Sequence, residues 1–183
     1  MPTLIAFTAI FCIFAVWLVA TQRKLVVLDE NVNNAMSQIG VQLSSRFDAL
    51  TALLDLTKGY ARQESDVLIE AIRFWRGMIT AKSKPEEVLR QEGIISEALS
   101  RVALIAEQYP ELPVSQKYGQ TKDAIETFAA MMRTSRLIYN DSVAKLNREI
   151  RVFPVSLVAR MLGIEQRGYL EEQVPGGDVP PLG

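Results

Sequence analysis

The sequence predicts an all-α protein. An N-terminal transmembrane helix continues into an antiparallel four-helix bundle whose first and last helices are long. Three observations predict this class. The first 22 of the 183 residues carry no charge, and Leu4 to Ala20 is almost unbroken apolar sequence. Behind that run, apolar residues recur with the period of a helix rather than a strand. No segment alternates with a period of two, and no internal repeat or low-complexity block interrupts the pattern. The organisation read from this is a short flank (1–3), a membrane helix (4–22), a helical bundle (23–164) and a disordered Pro/Gly-rich tail (165–183).

The membrane helix comes first. Seventeen residues span about 26 Å at the helical rise, close to the roughly 30 Å hydrocarbon core of a bilayer. Only Thr8 and Cys12 are mildly polar within it. A cleaved signal peptide is the alternative, but it would need a basic n-region and a small-residue cut site. Here the n-region is Met1-Pro2-Thr3, and bulky Leu18 stands three positions before the best cut, after Ala20. Cys12 follows Phe11, which argues against a lipoprotein signal. Arg23 and Lys24 come directly after the apolar run. The positive-inside rule then places the N-terminus outside and the bundle in the cytoplasm, on a single-pass protein of the inner membrane.

The first bundle helix prolongs the anchor. Leu25, Leu28, Val32, Met36, Ile39, Leu43, Phe47, Leu50, Leu54, Thr57 and Ala61 form a stripe of ten steps over 36 residues, a period of 3.6. Gly40 and Gly59 are the weak points, each costing up to about 1 kcal/mol relative to Ala. A second helix is expected from Ser65, capped by Ser65-Asp66, to Lys82. Its face would be Val67, Leu68, Ala71, Ile72, Trp75, Met78 and Ile79, with Phe74 exposed. Ser83-Lys84-Pro85-Glu86 reads as a capping box with Pro in the first turn. The third helix that follows carries a stripe through Val88, Glu92, Ile95, Leu99, Val102, Ala106 and Tyr109, and Pro110 ends it. The fourth runs from Ser115 to Phe153 on Tyr118, Ile125, Phe128, Met132, Ser135, Tyr139, Val143, Leu146 and Ile150; Pro154 breaks it. A short amphipathic helix, 156–162, stops at Gly163 as its C-cap.

Composition removes many chemistries. The 20 basic and 21 acidic residues all lie after the anchor and nearly cancel, so nothing points to nucleic acid. There is no His, and the single Cys sits in the membrane segment. Triads, Cys-His pairs, imidazole ligands, thiolate zinc sites and disulfides are therefore excluded. Di-iron bundle sites need Glu-x-x-His elements, which cannot occur. An all-oxygen site built from Glu64, Glu92, Glu107 and Glu126 has no loop with the ligand spacing for Mg²⁺ or Ca²⁺. No cofactor, metal or catalytic residue is expected.

A set of short elements carries a resemblance. In the first half these are Ala35-Met36-Ser37-Gln38-Ile39, Val41-Gln42-Leu43, Arg46-Phe47-Asp48, and Lys58-Gly59-Tyr60-Ala61 with Glu64. In the second half they are Glu107-Gln108-Tyr109-Pro110-Glu111-Leu112, Arg136-Leu137-Ile138-Tyr139-Asn140-Asp141-Ser142-Val143, Asn147, and Phe153-Pro154 with Leu157-Val158-Ala159. By their order and spacing the chain resembles the LemA family of bacterial membrane-anchored helical proteins. The resemblance implies one membrane helix, an antiparallel four-helix bundle and no established enzymatic activity. It also implies a setting: some relatives are encoded near membrane metalloproteases and others belong to magnetosome biogenesis. Three departures stand out. Leu28-Asp29 replaces a common Tyr-Asn, Ala49 to Leu53 replaces an Ile-Pro-Asn-Leu element, and Gln63 stands where the family has His. Loss of that Pro favours a straight first helix.

The structural or interaction candidates are Arg46, Asp48, Lys58, Tyr60, Glu64, Arg136, Tyr139, Asn140, Asn147, Phe153 and Pro154. Arg46 and Asp48 are expected to form an ion pair reaching Arg133, Arg136 or Glu126 on the fourth helix, because an unpaired buried charge is costly. Arg136, Asn140 and Asn147 share a face and form a polar row, read as an interhelical hydrogen-bond ladder. The functional expectation is a non-enzymatic scaffold or adaptor. It would be tethered to the bilayer through Leu4 to Ala20 and would self-associate or bind another membrane protein. The rival classes are an enzyme subunit or protease regulator with a carboxylate/Arg site, and a periplasmic bundle released by signal cleavage.

Overall fold

The computed structural model describes residues 2–170. They form five helices: α1 (Pro2–Thr57), α2 (Arg62–Trp75), α3 (Pro85–Gln108), α4 (Gln116–Arg151) and α5 (Val155–Met161). There is no strand among the described residues.

Helix α1 is the axis of the molecule: α2, α3, α4 and α5 all pack against it, α4 most extensively. It is a single uninterrupted helix of 56 residues, as the 3.6-residue stripe and the absent Pro predicted. Every residue of that stripe is buried except Leu28, which is half-buried. Residues 3–16 are exposed throughout and touch no other part of the chain's core. Helix α1 carries near its N-terminus an 18-residue window apolar enough, and long enough, to cross a membrane. Lys24 of α1 pairs with Glu149 near the end of α4, at 2.7 Å, whereas Arg46 shares a cleft with Arg133. The two helices therefore run antiparallel. Helix α4 buries Tyr118, Ile125, Met132, Ser135, Tyr139, Val143, Leu146 and Ile150, and Phe128 is half-buried.

The opposite side of α1 departs from the sequence reading. Helix α2 stops at Trp75, not Lys82, and starts at Arg62, not Ser65. Ser65 is not a cap; it is buried and its hydroxyl meets that of Thr57 at 2.6 Å, closing the α1–α2 turn. Trp75 and Met78, expected in the core, are 56 % and 86 % exposed. The helix ends early because residues 76–82 cross α1 as irregular chain at Gly40. A Cβ there would lie 2.5 Å from the Ile79 carbonyl oxygen, so the crossing needs a residue without one.

Helix α3 is also rotated from expectation. It buries Val88, Gln91, Ile95, Ala98, Val102 and Ile105. Leu99 and Ala106 are only half-buried, and Glu92 turns towards α4. Its N-cap is Lys84 and has no side-chain cap bond. The Ser83 hydroxyl instead accepts from Thr80 N–H at 3.2 Å.

After α5, Gly163 takes φ +67°, and Ile164 N–H returns to Ala159 C=O at 3.0 Å. This is the expected glycine cap. The chain then does something the sequence reading missed. Residues 165–170, placed in the disordered tail, lie as a strap against α1 and α4, with Leu170 1 % exposed. The rest of that tail, 171–183, lies outside the described residues.

Candidate functional site

Two polar constellations dominate the body. The first fixes the strap. Asn147 accepts from Arg167 N–H at 3.0 Å and donates to Arg167 C=O at 2.9 Å. Asn140 makes the same double contact with Leu170, at 2.8 and 2.9 Å. Each carboxamide offers one donor and one acceptor in the geometry a neighbouring strand would present. Buried Tyr139 donates its hydroxyl to Gly168 C=O at 2.9 Å, and burial pushes its phenol pKa up. The Arg167 guanidinium reaches Asp29 on α1 at 3.0 Å. The polar row on α4 is therefore real, but Asn140 and Asn147 bind backbone of the strap rather than another helix. Asp29, one of the departures from the family pattern, is the acidic end of this clamp.

The second constellation lies between α1, α3 and α4. Arg136 pairs with Glu92. Arg46, Arg133 and Arg136 with Glu92 line an open cleft of about 330 Å³. Three guanidinium groups thus face one carboxylate. Among the described residues, Arg46 Nε and Arg136 Nε are buried and have no hydrogen-bond partner. Burial pulls the Arg46 pKa down, and Glu92 opposes that pull. Such a cleft is chemically suited to a carboxylate or phosphate, since a guanidinium binds either bidentately. Ser96, one turn along α3 from Glu92, also lines it.

The Arg46–Asp48 expectation fails in its partners. Asp48 does not reach α4; it accepts from Arg76 at 2.6 Å. The same guanidinium donates to the Ser44 hydroxyl at 2.6 Å and lies 5.7 Å from the Phe47 ring centroid. Asp48 pairs with Arg76 and Arg136 with Glu92, so the two do not meet in one carboxylate/Arg site. Glu126 is exposed. On α3, buried Gln91 donates to Trp75 C=O at 3.1 Å and holds the start of the crossing segment. No sequence signal marked Arg76 or Gln91, because their partners lie outside any periodic face.

The remaining candidates sit at the ends. At the end far from the anchor, Lys58 bridges Asp55 (2.9 Å) and Asp66 (3.2 Å), and these carboxylates hold its pKa up. Tyr60 packs on Tyr109 with centroids 5.8 Å apart. Glu64 is exposed beside a shallow apolar recess between α2 and α3. Near the anchor, Phe153 and Pro154 form the α4–α5 elbow, and Phe153 is 76 % exposed.

Sequence comparison finds relatives of the chain. Magnetosome proteins MamQ 1 and MamQ 2 of Paramagnetospirillum magneticum are each 22 % identical to the chain over 192 aligned positions, covering 91 % of it and 70 % of their own length. The sequence profile of the LemA family matches residues 35–180, which takes in the second polar constellation, the strap, the elbow and all of the first constellation except Asp29. An exposed apolar helix running into a helical body fits the membrane-anchored character of that group, and the chain belongs to the LemA family.

Proposed function

We propose that this chain is a membrane-tethered, non-enzymatic scaffold or adaptor. Its N-terminal helix would cross the inner membrane once, and its body would form an antiparallel four-helix bundle on the cytoplasmic face. One observation carries the reading: an uncharged apolar segment, exposed over residues 3–16, is the same helix that forms the core of the body. Anchor and body cannot separate, so the protein acts beside the bilayer, where confinement raises its effective concentration toward other membrane proteins. Neither magnetosome relative is named as an enzyme, and the polar groups described above are mostly committed to one another. Self-association or capture of another membrane protein follows as the mode of action.

In-membrane crosslinking followed by mass spectrometry tests this. Recovery of self-crosslinks supports a homo-oligomeric scaffold, and recovery of one specific membrane protein supports an adaptor. Absence of any specific crosslink counts against both. A second reading, a regulator or subunit of a membrane protease, draws on the Arg46–Glu92–Arg133–Arg136 cleft. Arg133→Ala would then abolish partner capture while leaving the fold intact by circular dichroism.

A further inference from the structure

We propose that the α4–α5 elbow and α5 form a second membrane contact, inserted into the headgroup and acyl boundary beside the anchor. The proposal rests on the reading of α1 as a membrane helix. Lys24 is level with Glu149, and α4 ends only two residues later, at Arg151. The first residues of α1 to meet the body are Trp17 and Leu18, which are half-buried against its core, and Thr21 is buried. Trp17 lies seven residues, about 10 Å, to the bilayer side of Lys24. Helix α5 contacts α1 and follows the end of α4, so it is the helix available to cover that level. The strap then returns in the opposite direction, with Arg167 at Asp29.

The outward face of this elbow is apolar. Phe153, Leu157 and Met161 stand four apart and are 76 %, 52 % and 83 % exposed, whereas Val158 and Ala159 face the core. In water such a face has no partner. At the depth of Trp17 to Thr21 it meets the region where interfacial helices bury their apolar side, roughly 5–10 Å into the boundary. The charges agree. Arg23, Arg151 and Arg160 are exposed around the elbow, at the height where cations meet anionic headgroups. The elbow's apolar face and the base of the anchor thus lie at one level of the molecule, and one occupant, the bilayer, covers both.

The test uses the full chain with Cys12→Ser, reconstituted in liposomes of phosphatidylcholine and phosphatidylglycerol. A bimane label is placed by Leu157→Cys, Met161→Cys, Phe74→Cys or Phe14→Cys, all at exposed positions. Lipid carrying a doxyl group near the glycerol backbone should quench the labels at 157 and 161 about twofold more than the label at 74. Equal, weak quenching at 157, 161 and 74 with strong quenching at 14 by doxyl groups deeper in the acyl chain overturns the elbow contact and leaves the anchor standing. No quenching at 14 overturns both. Self-quenching at 157 that grows with protein density, without doxyl quenching, assigns the face to a second copy and also overturns the proposal.

Discussion

The two sides of α1 are held in different ways. Against α4, a continuous apolar seam runs from Leu25 to Leu54, matched by buried residues from Ile150 back to Tyr118. Against α2, α3 and the crossing segment, a second set of buried apolar residues (Ile69, Ile72, Val88, Ile95, Val102 and Ile105) is joined by local contacts: Gly40 under Ile79, Arg76 on Ser44 and Asp48 and, between α3 and α2, Gln91 on Trp75 C=O. The first side draws on buried area, which is cooperative and indifferent to any one atom. The second adds to its own buried area single polar contacts and one steric fit, which fail individually. One helix can therefore carry a rigid pair on one face and a locally releasable unit on the other.

The largest effect should come from the seam. Leu146→Ala removes a fully buried side chain and should cost about 2–5 kcal/mol of stability, seen as a lower denaturant midpoint for the whole body. A loss confined to α4 would break the comparison. Gly40→Val forces a side chain into the Ile79 carbonyl and should cost about 1–3 kcal/mol. Hydrogen exchange should accelerate in residues 76–82 well before it does in α4.

Asn140→Ala leaves the N–H and C=O of Leu170 without their partner and should cost about 1–3 kcal/mol. Limited proteolysis should then cut within 165–170 while the helices persist. Arg76→Ala should cost about 1 kcal/mol, since its ion pair is partly exposed. Arg76→Lys should recover only part of this, because an ammonium cannot serve Asp48 and Ser44 as a fork.

The smallest effect is in alkali. Burial raises the phenol pKa of Tyr139 and of Tyr118 in the folded state. The folded protein therefore holds those protons longer than the unfolded chain, whose Tyr titrates near pH ~10. Stability is unaffected below that pH and falls as pH rises above it. In Tyr139→Phe, urea titrations should show a shallower alkaline loss, with Tyr118 supplying what remains.

The same division explains what was legible in the sequence. Helix α1 and the face of α4 follow from periodicity, because burial against one long neighbour repeats every 3.6 residues. The end of α2 does not. Its cause is Ile79 meeting Gly40, a contact between residues far apart in the chain that no local pattern encodes. The Asn140–Asn147 row is recognisable in the sequence as polar and ordered, but its partner, the strap backbone, is not. A carboxamide binds a strap's backbone as readily as a side chain, and backbone carries no sequence signal. Glu92 was visible only as a fault in the α3 stripe. It marks where that helix turns its acidic side to Arg136, and Gln91 takes the buried place.

The unbroken course of α1 has a mechanical consequence. Without a hinge from the apolar segment to Thr57, the tilt of the membrane helix and the attitude of the body are one variable. Residues 25–57 extend about 50 Å at the helical rise. A tilt of about 20°, ordinary for a membrane helix adapting to bilayer thickness, would swing the Tyr60–Tyr109 end by roughly 17 Å. A change in local thickness would thus be magnified into a displacement of the tip, as a pointer magnifies the motion of its pivot.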